Sequence, residues 1–321
     1  MRKIFKSFLT KRLIAVILFY IPINNINVQA SNFLYERDEN YKKAESLVEQ
    51  EKYEEALNYY DKLIDVWSDY HTLHISRCRV YEKMQNYKRA IKCYNKIIKI
   101  FPKQHSVYIF QGVALGIDDQ NLEALKALNK SIKLEDYYLA HFYKGKILAK
   151  LDRYKDSIIE FDKTISLDPD NYEAYFEKAT VLNYLQRYNE SLEALDKSIL
   201  LNPDNNFSYL VKGYVYQNLN NYDKATQMFD KVISMNRSLS YLACDAKGYN
   251  FIKTKNYATA LEMFNKAIEI NPNEHKAYIS KSMLCAMLND KDGAIENIDN
   301  AIRIQPEDKS LINIKNNLLK N

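Results

Sequence analysis

The residues with the most evident chemistry are five histidines, four cysteines, several paired acids and a ladder of lysines. His71 and His74 stand three apart, a spacing that puts two imidazoles on one helical face as in a metal site. Yet residue 74 falls at an apolar position of the pattern below, and His105, His141 and His275 are scattered far along the chain. The acidic pairs Glu54-Glu55 and Asp118-Asp119 could serve acid–base work, but they sit among polar neighbours and read as loop or solvated-face charges. There is no HExxH, GxSxG, DxDxDG or phosphate-binding glycine loop, and six glycines are too few to build a phosphate cradle. These absences leave an enzyme without support and call for no cofactor or metal.

What positions these residues is an internal repeat of roughly 34 residues. Counting each copy from its first residue, position 8 is Ala44, Cys78, Gly112, Gly145, Ala179, Gly213, Gly248 and Ser282. Position 20 is also small in every copy: Ala56, Ala90, Ala124, Ser157, Ser191, Ala225, Ala260 and Ala294. Position 24 is large: Tyr60, Tyr94, Leu128, Phe161, Leu195, Phe229, Phe264 and Ile298. Two small residues mark where a pair of helices crosses closely, and the large one fills the space beside the crossing. Pro102, Pro169, Pro203, Pro272 and Pro306 share position 32, where proline stops the second helix. Within a copy, Tyr175, Ala179 and Leu182 recur at helical spacing, as do Tyr188, Ser191, Leu195 and Ser198 after a turn at Gln186-Arg187. Position 17 carries Tyr53, Tyr87, Tyr154, Tyr188, Tyr222 and Tyr257, placed to cap each pair.

This pattern of small residues at 8 and 20, large and often aromatic residues at 24 and proline at 32 resembles that of tetratricopeptide-repeat proteins, over residues 37 to 308. The resemblance implies an all-α superhelical solenoid: eight helix-turn-helix repeats at 37-70, 71-104, 105-137, 138-171, 172-205, 206-240, 241-274 and 275-308, then a capping helix over 309-321. It also implies a concave groove lined by positions 2, 5, 9, 12 and 13 of each first helix. Those positions place Arg79, Lys83, Ile109, Val113, Phe142, Lys146, Lys150, Phe176, Tyr184, Phe207, Tyr214 and Tyr249 toward a partner. An apolar, aromatic middle flanked by cations suits an extended peptide, with Lys146 and Lys150 placed to take a carboxylate. Position 5 lacks the lysine, and position 9 the asparagine, of the family's carboxylate-clamping groove. About half of these residues are expected to pack against neighbouring first helices instead.

Two joints break the pattern. Repeat three has Asp136 where proline stands elsewhere, with Gly112 and Gly116 in one helix, which reads either as a bend or as a tolerated irregularity. Repeat six has Arg237 at the proline position. The ladder at position 7, Lys43, Arg77, Lys144, Lys178, Lys212, Lys247 and Lys281, invites a polyanion reading. Asp or Asn at position 25 of every copy offers it partners, so packed stems with compensated heads are the better expectation. Cys78, Cys244 and Cys285 fall at positions 8, 4 and 11, where other copies are small or apolar, and read as core residues rather than as a disulfide framework.

The formal charge of +5 comes from Arg2, Lys3, Lys6, Lys11 and Arg12, so residues 31 to 321 balance to zero and nothing argues for nucleic acid. The same residues open a secretory pattern: a basic stretch, an apolar run from Leu13 to Ile23, and Val28-Gln29-Ala30 as a cleavage site, with 31-36 as a lead-in. The expectation is an exported, periplasmic or secreted chain that leaves the membrane after cleavage, the alternative being an inner-membrane anchor. Function is then expected to be a non-enzymatic scaffold binding a protein or peptide. A self-associating envelope array, hence a homo-oligomer, and a carbohydrate-binding accessory subunit are the alternatives.

Overall fold

The computed structural model describes residues 38–235 and 239–320; the secretory segment 1–30, the lead-in 31–36 and the Arg237 joint lie outside the described residues. The regular elements are all α-helices, in consecutive pairs. These are α1 (Glu39–Glu49) with α2 (Tyr53–Val66), α3 (His71–Lys83) with α4 (Tyr87–Ile100), α5 (His105–Ile117) with α6 (Asn121–Leu134), and α7 (Tyr138–Lys150) with α8 (Tyr154–Leu167). They continue as α9 (Tyr172–Tyr184) with α10 (Tyr188–Leu201), α11 (Asn206–Asn218) with α12 (Tyr222–Ser234), α13 (Ser240–Lys253) with α14 (Tyr257–Ile270), and α15 (His275–Met287) with α16 (Lys291–Ile304). A last helix, α17 (Lys309–Lys320), stands alone. The chain forms two compact units, Met1–Val181 and Leu182–Asn321, and each is described by itself. No helix among the described residues is long and apolar enough to cross a membrane.

Every turn inside a pair has the same geometry. Glu51, Gln85, Asp119, Asp152, Gln186, Asn220, Lys255 and Asn289 all occupy position 15, and all have φ between 56° and 62°. The next residue's N–H reaches back to the carbonyl of position 11, as in Lys52 to Leu47 and Asn256 to Phe251, both at 2.8 Å. This is the left-handed helix cap normally given to glycine, built here from longer side chains at a local cost of about 1 kcal/mol each. Tertiary packing of the two helices offsets that cost.

The crossing of each pair is set by volume. Phe161, Phe229 and Phe264, at position 24, each lie over a glycine at position 8. A Cβ added to Gly145, Gly213 or Gly248 would fall 2.7, 2.4 or 2.5 Å from the ring. Where position 24 is Ile298, position 8 keeps a Cβ, at Ser282. Serines at the crossing satisfy their hydroxyls across it: Ser157 donates to the Gly145 carbonyl at 2.8 Å and Ser282 to that of Ala294 at 2.7 Å. Tyrosine at position 24 brings a polar need instead, met by Glu45 for Tyr60 and by Glu82 for Tyr94.

One cysteine expectation is corrected here. Cys78 is bonded to Cys93, with their Cα atoms 5.5 Å apart. Position 8 of α3 faces positions 23 and 24 of α4 across the close crossing, so Cys93, outside the repeat pattern, meets Cys78 there. Cys244 and Cys285 are buried free thiols that pack as small apolar groups.

Between pairs, position 25 holds position 7 of the next first helix. Arg77 pairs with Asp61, Lys178 with Asp162, Lys212 with Asp196 and Lys247 with Asp230. Where position 25 is Asn95, position 7 is Gln111, and the two side chains bond at 2.7 Å. Lys315 of α17 pairs with Asp299 at 2.6 Å, so the last helix docks like the first helix of one more pair.

The third joint replaces proline with an ion network. His141 is buried, with Nδ1 2.6 Å from Glu160 and Nε2 2.7 Å from Asp136, while Lys144 meets Glu160 at 2.7 Å and Lys163 meets Asp136 at 3.3 Å. Gly112 and Gly116 let α5 approach its neighbours closely: their added Cβ atoms would meet Leu128 at 2.8 Å and Ile147 at 2.3 Å. The helix is buried along most of its length, and these glycines serve its packing.

Two measurements check this account. Gly213→Ala should destabilise α11 and α12 by about 1–3 kcal/mol in native-state hydrogen exchange, with most of the loss recovered in Gly213→Ala/Phe229→Leu. Independent, additive effects would contradict the volume argument. For His141, burial lowers the imidazole pKa, but the bonds to Glu160 and Asp136 outweigh it and the net shift is upward. The network's stability is therefore present at about pH 5.5 and lost as pH rises through the raised pKa. The stability gap between the native chain and His141→Gln should shrink from pH 5.5 to pH 8, and a gap that widens would contradict this.

Candidate functional site

First helices touch one another as well as their own partners: α3 reaches α5, α5 reaches α7, α11 reaches α13 and α13 reaches α15. That contact divides the residues expected to face a partner. Ile109, Val113, Phe142, Lys146 and Phe176 are buried, the first four where positions 5 and 9 face the next first helix of the unit. Phe142 and Phe176, expected as apolar anchors, are thus floor rather than surface. Arg79, Lys150, Tyr184, Phe207, Tyr214 and Tyr249 are half-buried and Lys83 is exposed.

In the first unit the floor is charged. The Arg79 guanidinium lies 5.6 Å from the centre of the Phe110 ring. Glu82 is buried beside it and accepts from the Tyr94 hydroxyl at 3.0 Å. Burial pushes the Glu82 carboxyl up to about 7, against the opposing pull of Tyr94, Arg79 and Lys83. Lys146, 5.5 Å over the Phe142 ring, pairs with Glu177 at 3.2 Å. Lys150 pairs with Asp119 at 2.5 Å and donates to the Gly116 carbonyl at 2.9 Å. Both lysines that the sequence offered to a carboxylate ligand therefore already have acidic partners. The Tyr143 phenol is raised by burial, then by Glu173 and Glu82.

In the second unit the floor is built from amides. Gln217 donates to Asn250 Oδ1 at 2.6 Å and to the Ala246 carbonyl at 2.8 Å, and Asn250 donates to Thr226 at 3.0 Å. Asn218 donates to Asn183 at 3.0 Å. Tyr214 stands edge-on to Phe229, 5.5 Å between ring centres. Asp245 keeps partial exposure, yet desolvation raises its carboxyl to about 6.

Sequence reading missed Glu177 and Asn250 as parts of this face. Glu177 falls at position 6, outside the expected lining set. Its signal was indirect: Lys146 in the apolar helix α7 requires an acid somewhere among the first helices. His71 and His74, weighed as metal ligands, instead pack edge-on to Phe101, with ring centres 6.1 and 5.4 Å away.

The model described as "Tetratricopeptide repeat protein 21 N-terminal ARM repeat" matches residues 87–295, and one described as "Tetratricopeptide repeat" matches 41–105. Among curated proteins, none matches this sequence. Solved structures are similar in fold. The Cut9 chain set titled "APC/C hetero-tetramer Cut9-Hcn1" has TM-score 0.63 at 14% identity, over 89% of this chain and 56% of that one. This chain thus spans little more than half of that structure's length. A tetratricopeptide repeat protein from Parabacteroides merdae has TM-score 0.62 at 14% identity, over 78% of this chain and 99% of that one. The C-terminal part of a repeat-containing protein from Cytophaga hutchinsonii has TM-score 0.56 at 17% identity, over 75% and 98%. At these identities the likeness concerns the fold alone.

The buried Glu82 carboxyl makes a prediction with a definite sign. A folded pKa raised above the unfolded value of about 4.3 gives stability at low pH that is lost as pH rises through about 7. Glu82→Gln should match the native chain at pH 4 and be more stable at pH 8, by roughly 1–3 kcal/mol. Equal stability at both pH values would show that Glu82 is not desolvated.

Proposed function

Because this chain belongs to the tetratricopeptide-repeat family, whose folds generally mediate protein or peptide binding, we propose that it is a non-enzymatic scaffold holding a protein or peptide against its first-helix face. The observation that carries the reading is which residues the repeat leaves unexplained. Positions 8, 15, 20, 24 and 25 are used alike in copy after copy to make the fold. Arg79, Lys83, Tyr143, Lys150, Tyr184, Phe207, Tyr214 and Tyr249 are partly exposed on first helices and differ from copy to copy. A surface that varies over a constant scaffold is what selective recognition of one partner requires.

The place of action proposed is outside the cytoplasm, after removal of residues 1–30. The basic, apolar and small-residue order of that segment supports this. So does the Cys78–Cys93 bond, since disulfides persist in oxidising compartments and are rare in cytosolic proteins.

A photoreactive residue at Tyr184, Phe207 or Tyr214 in the exported protein should give one discrete adduct in the native envelope fraction, and the same residue at exposed Lys197 on α10 should give none. Tyr184→Ala/Tyr214→Ala should lose the adduct formed through Phe207 while helicity by circular dichroism stays within about a tenth of the native value. Adducts from Lys197 alone would move the site off the first-helix face. An adduct that is a second copy of this chain would make the protein a self-associating array.

A further inference from the structure

We infer that the first-helix face of the first unit carries a site for an organic cation, the ammonium or guanidinium of a lysine or arginine side chain on the bound peptide, built on Glu173 and Glu177. The inference rests on the reading of this face as the partner-binding surface, and it reverses the charge that the sequence suggested for the ligand.

Glu173 and Glu177 lie one turn apart on α9, so their side chains leave the helix on one face. Lys146 of α7 is the cation that acts on both, and it ion-pairs with Glu177 at 3.2 Å. Two carboxylates thus share one lysine. Lys150, one turn beyond Lys146, does not make up the deficit, because it is held by Asp119 and the Gly116 carbonyl. On α3, Arg79 lies against Phe110 beside Glu82.

Glu177 provides the second, independent observation. Its side chain is 0% exposed, and Oε2 has no hydrogen-bond partner. A buried carboxylate oxygen without a donor is costly, and an incoming N–H of a cation would remove that cost. Glu173 is the accessible member of the pair: it is half-buried and accepts from the Tyr172 hydroxyl at 3.2 Å. Tyr138 and Tyr143 both lie within electrostatic reach of Glu173. Paired carboxylates suit an alkylammonium or a guanidinium, and not a carboxylate. Burial holds both glutamates above the ordinary carboxylate range, so binding of a cation expels protons and weakens as pH falls.

The test uses the full-length protein and two probes. The first is n-butylammonium chloride, followed through the side-chain carboxyl carbons of 13C-glutamate-labelled protein, with sodium chloride at equal ionic strength as the control. Saturable shifts at Glu173 and Glu177, assigned by Glu173→Gln and Glu177→Gln, are expected with butylammonium only. Lys146→Met, which keeps the stem and removes the resident cation, should strengthen that binding at least about threefold. The second probe is a set of fluorescent nonapeptides, identical but for a central lysine, norleucine or glutamate. The lysine peptide should bind about tenfold tighter than the norleucine peptide, and Glu173→Gln, which alters only the accessible carboxylate, should erase that margin. Equal binding of all three peptides, or preference for glutamate, overturns the cation site and leaves the first-helix face standing as a binding surface. If no peptide binds and butylammonium shifts no carboxyl carbon, both readings fall together.

Discussion

Everything in this protein follows from how closely two helices of a pair can cross. A single pair has one apolar stripe per helix and no third element of its own to cover both, so burial requires the next pair, and the next pair can dock only on a crossing of fixed depth. That depth is set by the sum of the side chains at positions 8 and 24. A phenylalanine ring occupies the volume that a glycine leaves open, three times over at Gly145, Gly213 and Gly248. The left-handed turn at position 15 is the second half of the same constraint: it reverses the chain within two residues so that the helices meet at once.

The joints between pairs are governed by weaker and more varied forces. A charge or amide at position 25 meets position 7 of the next pair, and each such half-exposed contact contributes about 0–1 kcal/mol, too little to set the fold but enough to fix its register. Proline stiffens five of these joints. At the third, Asp136 has no ring to stiffen the chain and instead ties His141 and Lys163 to the turn, replacing a covalent restraint with one that depends on protonation.

Once the fold has taken its share of the residues, the first-helix faces keep distinct characters. In the first unit carboxylates are buried, and their proton affinity rises because water no longer solvates their charge. In the second unit neutral amides bond one another across successive pairs, which costs less to bury and carries no net charge. A scaffold of equal repeats thereby presents unequal surfaces.

The sequence alone was enough for the repeat, the helix pairs and the small-against-large crossing, because a period repeated eight times averages away local noise and leaves the packing rule visible. It also contained the position-25 to position-7 pairs, since both partners recur at one spacing. The Cys78–Cys93 bond, the Glu173–Glu177–Lys146 cluster and the burial of Phe142 and Phe176 came only from the tertiary structure. Each depends on contact between residues on different helices at positions that do not recur. A pattern read along the chain says which face of a helix a residue shares, whereas what it meets there is decided by the helix packed against it.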